Sequence, residues 1–229
     1  MTNELPQEDW DVSRFQRDLL IWFQHEGRSF PWRETTDPFA ILIAEKLLQQ
    51  TQARDSVVAA FQTLLGAYPS AEALAAANLT DLRDIIQPLG LGYRAIELKA
   101  MAGEIAGRYA GVVPDDLRRL MALPGVGAYG ARAVLSFSFG HDIAVVDTNV
   151  ARIYFRVFDI PGRMPANPAR KRSLINLSTA LLPTGQSRPF NFALVDLGAL
   201  ICTPRTPDCP HCPVLSYCAF GQRQAQRLI

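Results

Sequence analysis

The chain has 229 residues, of which 48% are hydrophobic and 20% are charged, a composition typical of a globular protein with one large or two small domains. Its formal net charge of +1 points to no particular class of partner. No apolar run approaches the roughly 18 to 20 residues of a membrane span, and the first ten residues lack the basic-then-apolar order of a signal peptide, so we expect a cytoplasmic protein without a membrane partner.

Charge is distributed unevenly along the chain. Residues 118–229 carry thirteen basic and five acidic side chains, whereas residues 1–117 carry more acidic than basic ones. A basic C-terminal half can bind phosphates, although a solvated surface gives the same pattern. Most of the basic residues are Arg, which favours bidentate phosphate contacts.

Helical periodicity dominates the chain, and convincing strands are absent. Residues 19–23 belong to a first amphipathic helix, and Asp37-Pro38 predicts the N-cap and first residue of a helix that runs to about Arg54. Residues 143–146 are apolar but too few for more than an extended link. We therefore expect an all-α fold, with further helices over 55–66, 71–76, 79–86, 94–109, 115–122, 128–138, 148–158, 168–182 and 189–201.

An acidic side chain lies on an apolar face of the helix that begins after Asp37. Glu45 is at helical neighbour spacing from Ile41, Leu42 and Leu48. Such an acid is usually held in a salt bridge. Burial would alternatively favour its protonated form, which can donate or relay a proton.

A glycine-rich turn separates two predicted helices in the stretch LMALPGVGAYGARAVL, residues 120–135. Gly125 and Gly127 allow backbone N–H groups to approach a ligand closely. They precede a helix N-terminus, where free N–H groups and the helix dipole favour an anion. An ordinary tight turn between helices is the alternative.

A carboxylate follows this turn by about twenty residues. Asp147 comes after four apolar residues and precedes a predicted helix, so it is suited to be an N-cap. An acid that is fixed at a helix start beside Val145 and Val146 is also held rigidly and is partly desolvated.

All four cysteines of the chain fall in CTPRTPDCPHCPVLSYC, residues 202–218. Disulfides need an oxidising compartment, which nothing in the sequence indicates. Structural zinc usually takes two separated Cys/His pairs, whereas this stretch has one C-x2-C with a cysteine on each side. Four thiolates on a compact, proline-stiffened loop match an iron–sulfur cluster better, and zinc remains the alternative.

These features together resemble the endonuclease III and MutY superfamily of DNA glycosylases. The resemblance extends from FPWR at residues 30–33 to Cys218. It implies a two-lobed, all-α helix-hairpin-helix fold with a C-terminal cluster loop, in which 34–145 form a helical barrel and 1–33 with 146–229 form the cluster domain. It further implies a monomeric base excision repair enzyme that binds mismatched double-stranded DNA in a prokaryotic nucleoid.

The resemblance also implies ligands and phosphate contacts. Cys202, Cys209, Cys212 and Cys218 would hold a 4Fe-4S cluster. The hairpin with Gly125 and Gly127 would bind a backbone phosphate without reading sequence.

Three further residues take catalytic roles by resemblance. Asp147 would stabilise the positive charge that develops on the sugar or activate the attacking water. Glu45 matches a catalytic glutamate of the MutY branch. Tyr129 occupies the position at which bifunctional members carry a nucleophilic lysine, so we expect base hydrolysis without efficient strand nicking.

Other positions match the parts that evert a base. Gln49 or Gln50 would fill the base stack after the target leaves it. Leu91 and Tyr93 lie in the second insertion loop, and Arg205 would contact the DNA backbone from the cluster loop. Eversion costs least at a mismatch, so weak pairing is itself part of target selection.

The target base is suggested by departures from MutY. Ala53 stands where MutY has Val, and Phe192 stands where MutY has a Gln that can bind adenine's edge. Asp147-Thr148-Asn149 replaces the Asp-Gly-Asn that is usual in MutY. The chain stops eleven residues after Cys218, whereas MutY continues into a domain that recognises 8-oxoguanine.

These differences favour thymine or uracil opposite guanine, to which the stretch FPWRETTDPFAILIAE is also closer. Adenine opposite 8-oxoguanine or guanine remains the alternative, because LLQQTQ at residues 47–52 resembles MutY. A non-catalytic DNA-binding module is an outside alternative, against which the presence of both Asp147 and Glu45 argues.

Overall fold

A computed structural model describes residues 10–51, 53–90 and 92–226. This part of the chain contains no β-strand, so the predicted all-α class is confirmed. The α-helices are α1 (Val12–Glu26), α2 (Pro31–Glu34), α3 (Pro38–Leu48), α4 (Asp55–Ala67), α5 (Ala71–Ala76), α6 (Leu79–Ile86), α7 (Arg94–Arg108), α8 (Leu117–Ala122), α9 (Ala128–Phe137), α10 (Thr148–Val157), α11 (Arg172–Ala180), α12 (Ser187–Leu200) and α13 (Ala219–Gln226).

Two predicted helix boundaries are wrong. Helix α3 ends at Leu48 rather than near Arg54, because the backbone of Gln50 turns into the left-handed region with φ of 55°. The predicted helix over 168–182 begins with a short 3-10 turn, and α11 starts only after the extended Lys171. Sequence analysis missed the one-turn α2 and the polar α13, which lack a strong apolar period.

The chain divides into a central unit, Ser29–Phe139, and a terminal unit that comprises Met1–Arg28 and Gly140–Ile229. The predicted boundaries, 33/34 and 145/146, lie a few residues further along the chain. Among the described helices, none combines the length and the apolar character that crossing a membrane requires.

In the central unit, α3 is an almost wholly buried helix. Asp37 caps it by accepting from the N–H groups of Phe39 and Ala40 at 3.0 and 3.3 Å. It packs against α4, α7 and α9. The Arg94 guanidinium is fully buried, and its Nη1 donates to the Leu47 carbonyl at 2.9 Å, so α7 is bound to the end of α3.

In the terminal unit, α12 is the central helix and packs against α1 and α10. A buried ion pair joins the end of α1 to α12: the backbone N–H of Arg28 donates to Asp196 Oδ2 at 2.8 Å, and its guanidinium donates to Oδ1. Aromatic rings also connect this region to the cysteine-rich loop: Trp10, just before α1, and Phe15, in α1, lie 5.8 and 6.0 Å from the Tyr217 ring. The loop is therefore part of the terminal unit's core.

Candidate functional site

The turn between α8 and α9 has the geometry that the sequence predicts for an anion site. Gly125 is exposed with φ of 70°, a conformation that favours glycine. Gly127 is the extended N-cap of α9, and no side chain caps this helix start. The orphan N–H groups of a helix's first turn need partners, and here the site can offer them to a phosphate oxygen.

A buried lysine that sequence analysis did not single out lies beneath this turn. Lys46 is 2% exposed, and its Nζ donates to the Gly125 carbonyl at 3.0 Å. The same ammonium pairs with Glu97 Oε2 at 2.7 Å and donates to Gln49 Oε1 at 3.2 Å. One signal was available: a lysine in the middle of the otherwise apolar stretch ILIAEKLL.

The structure separates the two candidate wedge glutamines. The Gln49 amide donates to the Gly125 carbonyl at 3.2 Å, so it is bound to the hairpin turn. Gln50 is exposed and sits in the left-handed backbone region. In the second candidate insertion loop Tyr93 is 54% exposed, whereas Leu91 lies outside the described residues.

Glu45 and Tyr129 both belong to the central unit. Glu45 is half-buried on α3, and Tyr129 is half-buried in the first turn of α9, the helix against which α3 packs. Both side chains take part in further interactions. Ala53 is half-buried just before α4.

Asp147 is the N-cap of α10 in the terminal unit. Its Oδ1 accepts from the Val150 backbone N–H at 2.7 Å, and its Oδ2 accepts from the Asn149 side-chain amide at 2.8 Å. The carboxylate is half-buried after the fully buried Val145 and Val146. These bonds hold the negative charge in one orientation.

A chain of hydrogen bonds leads from this carboxylate to the cysteine-rich loop. Asn149 Oδ1 accepts from Arg152 Nη2 at 2.9 Å, and Arg152 Nε donates to the Cys202 carbonyl at 2.8 Å. Arg152 also donates to the Gly198 carbonyl at 2.8 Å, and burial lowers the pKa of its guanidinium. Sequence analysis did not predict Arg152, because two of its three partners, the Gly198 and Cys202 carbonyls, lie about fifty residues away in the chain.

Another buried amide supports the link that leads to Asp147. Residues 141–147 have no strand partner, and the Asn191 side chain bonds the Ile143 carbonyl at 3.0 Å and the Val145 N–H at 3.2 Å instead. The next residue on α12, Phe192, is only 8% exposed, and the Arg188 guanidinium lies 5.8 Å above its ring.

The four cysteines line one small cavity of the terminal unit. Arg156 Nη1 donates to Cys202 Sγ at 3.2 Å, and the Gly221 N–H lies 3.3 Å from Cys218 Sγ. Donors that face sulfur suit thiolates, so the donor set fits an iron–sulfur cluster. Within the described residues, however, no three His, Cys, Asp or Glu side chains are grouped closely enough to hold a metal ion.

Burial makes the free thiols hard to ionise. It raises the pKa of Cys212 to about 12, and it also raises the pKa of Cys209 and of Cys218. A bound metal would have to displace these protons. The exposed Arg205 lies in the same loop, where it lines a second, open cavity with Phe220 and Gln224.

Comparison with known proteins relates the whole chain to DNA repair proteins. Residues 43–179, more than half of the chain, match the model of the HhH-GPD superfamily of base excision DNA repair proteins. The thymine/uracil-DNA glycosylase of Pyrobaculum aerophilum is 34% identical over 229 residues, which cover 98% of this chain and 99% of that protein. The adenine DNA glycosylase of Mycobacterium tuberculosis is 41% identical over 206 residues, which cover 89% of this chain and 66% of that protein.

Among solved structures, a thermostable thymine-DNA glycosylase superposes with a TM-score of 0.85 and 33% identity, over 93% of this chain and 97% of that one. The sequence matches and the structural match therefore point to the same family. The chain belongs to the HhH-GPD superfamily of base excision DNA repair proteins.

Proposed function

We propose that the protein is a monofunctional DNA glycosylase that everts and hydrolytically removes a mispaired base, with thymine or uracil opposite guanine as its target. The observation that carries this proposal is the Asp147 carboxylate, fixed by the Val150 N–H and the Asn149 amide at the start of α10. Its substrate, genomic DNA, would place the protein in the cytoplasm of a prokaryote, with the nucleoid. We further propose that it acts as a monomer.

Duplex DNA would first be held through its backbone. The uncapped start of α9 offers N–H groups to one phosphate, and the exposed Gly125 and Gly127 leave room for it. Gln50 then takes the role of the wedge, since Gln49 is occupied by the hairpin. The exposed Tyr93 enters the stack from the second loop.

The chemistry is electrostatic and general acid–base in kind. As the N-glycosidic bond breaks, positive charge grows on the sugar, and the fixed carboxylate of Asp147 stabilises it or accepts a proton from the attacking water. Glu45 donates or relays a proton to the departing base. Negative charge held in place before the reaction needs no reorganisation during it.

The expectation of little lyase activity is supported by the state of the two lysines of the central unit, Lys46 and Lys99. A Schiff-base nucleophile must be an unprotonated amine near the sugar. Lys46 is a buried, ion-paired ammonium, and Lys99 donates to the Ala77 carbonyl. Tyr129 occupies the first turn of α9 in place of an amine.

Cys202, Cys209, Cys212 and Cys218 would hold the 4Fe-4S cluster. When bound, the cluster supplies a rigid, thiolate-linked core to the loop. Arg156 orients this loop through bonds to the Thr203 and Pro204 carbonyls at 2.7 and 2.9 Å. Arg205 is then presented to a backbone phosphate.

The choice of base is supported by the match along almost the full length of a thymine/uracil-DNA glycosylase. Adenine remains the second candidate, because the higher identity, 41%, is to an adenine DNA glycosylase. Phe192 argues against adenine, since a ring cannot hydrogen-bond the edge of that base.

A panel of labelled duplexes with T:G, U:G, A:G and A:8-oxoguanine pairs tests the proposal. Base release is measured as strand cleavage after alkali, with and without enzyme. We expect release from T:G and U:G and no cleavage before alkali. Release only from A:8-oxoguanine would establish the second candidate, and binding without release from any duplex would indicate a non-catalytic module.

A further inference from the structure

Lys46 has no part in the chemistry proposed above, yet all three donors of its ammonium group have an acceptor. An ammonium group has three donors, and this one has three acceptors: Glu97 Oε2 at 2.7 Å, the Gly125 carbonyl at 3.0 Å and Gln49 Oε1 at 3.2 Å. The Glu97 side chain of this pair is 38% exposed, and a partly solvated ion pair contributes little net stability. Stability alone therefore does not explain a lysine in an otherwise apolar stretch of α3.

The hairpin turn is shaped to admit this ammonium. A Cβ at Gly125 would lie 2.3 Å from Lys46 Nζ and 3.2 Å from its Cε. Glycine at this position is thus needed both for the φ of 70° and for the approach of Lys46. The turn and the lysine fit each other.

The Gly125 carbonyl connects the hairpin turn to the end of α3. It accepts from Lys46 Nζ and from Gln49 Nε2 at 3.2 Å, so the turn is fastened to the end of α3. The same helix carries Glu45, and Gln50 follows in the turn after it. A displacement of the hairpin relative to α3 would break both bonds.

We propose that Lys46 is a positioning residue, which fixes the phosphate-binding hairpin against the helix that bears Glu45 and the wedge. This inference rests on the proposed function. Lys46 does not touch DNA: its charge is paired with Glu97, and its role is to set the distance between the held phosphate and the everted base.

Lys46→Met tests this role, because it removes the charge and keeps the length of the side chain. We expect the dissociation constant for an undamaged duplex to rise about tenfold. This factor corresponds to the loss of one hydrogen bond from a displaced hairpin N–H group to a charged phosphate. Base release at saturating enzyme should slow by about ten- to hundredfold, since the base is misplaced. The urea midpoint of unfolding should fall in Lys46→Met, which leaves Glu97 without its partner, and should recover when Glu97→Met is added.

The salt dependence of binding distinguishes positioning from direct contact. Hairpin N–H groups are neutral, so the slope of log affinity against log salt should not change in Lys46→Met. A slope smaller by about 0.9 would mean that Lys46 itself neutralises a phosphate, and it would overturn the inference.

Lys99→Met is the matched control, a half-buried lysine of the same unit that binds the Ala77 carbonyl instead of the hairpin. It should leave affinity and base release unchanged. Equal affinity and rate in Lys46→Met and the unaltered protein would overturn the inference.

If Lys46→Met does not fold, the double variant Lys46→Met, Glu97→Met removes both charges, and its affinity and rate are measured in the same way. A double variant that also fails to fold would show that Lys46 has only a structural role and would overturn the inference. An unaltered protein that binds no duplex would instead refute the proposed function.

Discussion

The two oxygens of Asp147 have different partners, and this difference allows one residue to be a helix cap and also the catalytic group that we propose. Oδ1 is used by α10 through the Val150 N–H, whereas Oδ2 is oriented by Asn149. A cap residue is fixed by the helix it begins, which gives a carboxylate a defined direction at little conformational cost.

Asp147→Asn should abolish most activity and leave the fold intact. Asparagine caps helices as well as aspartate does, so α10 should form. The lost negative charge should slow single-turnover base release by about 10²- to 10⁴-fold. Asp11→Asn, at the N-cap of α1 in the same unit, is the control and should retain full activity. Substantial base release by Asp147→Asn would contradict the mechanism.

Among the helices, the close contact between α10 and α12 determines how the Asp147 carboxylate is supported. A Cβ at Gly198 would lie 2.7 Å from the Asn149 Cβ, so only glycine lets the first turn of α10 rest on α12. Arg152 then reaches the Gly198 carbonyl and binds Asn149 at the same time. The position of Asp147 therefore depends on a residue fifty positions later.

Gly198→Ala should consequently destabilise the terminal unit and impair activity. Overpacking at such a contact costs about 1–3 kcal/mol in the free energy of unfolding. Gly103→Ala, inside α7 with open space around its Cβ, should instead gain up to about 1 kcal/mol from helix propensity. Urea denaturation measures both variants. Equal effects of the two substitutions would show that the contact with Asn149 is not tight.

At the scale of the whole molecule, the two units have separate cores, and only one of them contains the cysteines. Cys218 and Val214 belong to the core of the terminal unit, and Tyr217 donates to Asp18 on α1 at 2.8 Å. Loss of a bound cluster should therefore act on the terminal unit alone.

Cys212→Ala should yield a colourless protein whose terminal unit is less stable by about 4 kcal/mol or more, as expected for a lost metal centre. Hydrogen exchange with mass spectrometry should show faster exchange in residues 140–226 and unchanged exchange in the central unit. An iron–sulfur protein is brown, and His211→Ala, which alters an exposed side chain that binds Asp208, should keep that colour. A colourless unaltered protein would favour zinc, and loss of the colour in His211→Ala would show that His211 supports the cluster.

Local patterns in the sequence predicted most of the described helices, their order and the residue types of the candidate site, but not α2 or α13. Periodicity and capping are local, so Asp37, the LPGVG turn and the Asp147 cap could be predicted from neighbours in the chain. The end of α3 could not, because a left-handed backbone at a non-glycine residue such as Gln50 has no reliable local sequence signal.

Only the tertiary structure decided which residues support the site. Lys46 and Gly125 are 79 residues apart in the sequence, and Arg152 and Cys202 are 50 residues apart. No local pattern therefore predicts either contact. It also distinguished Gln50 from Gln49, two identical side chains that differ only in what lies beside them. The sequence gives the chemistry of each side chain, but long-range packing determines which partner a buried charge or amide binds.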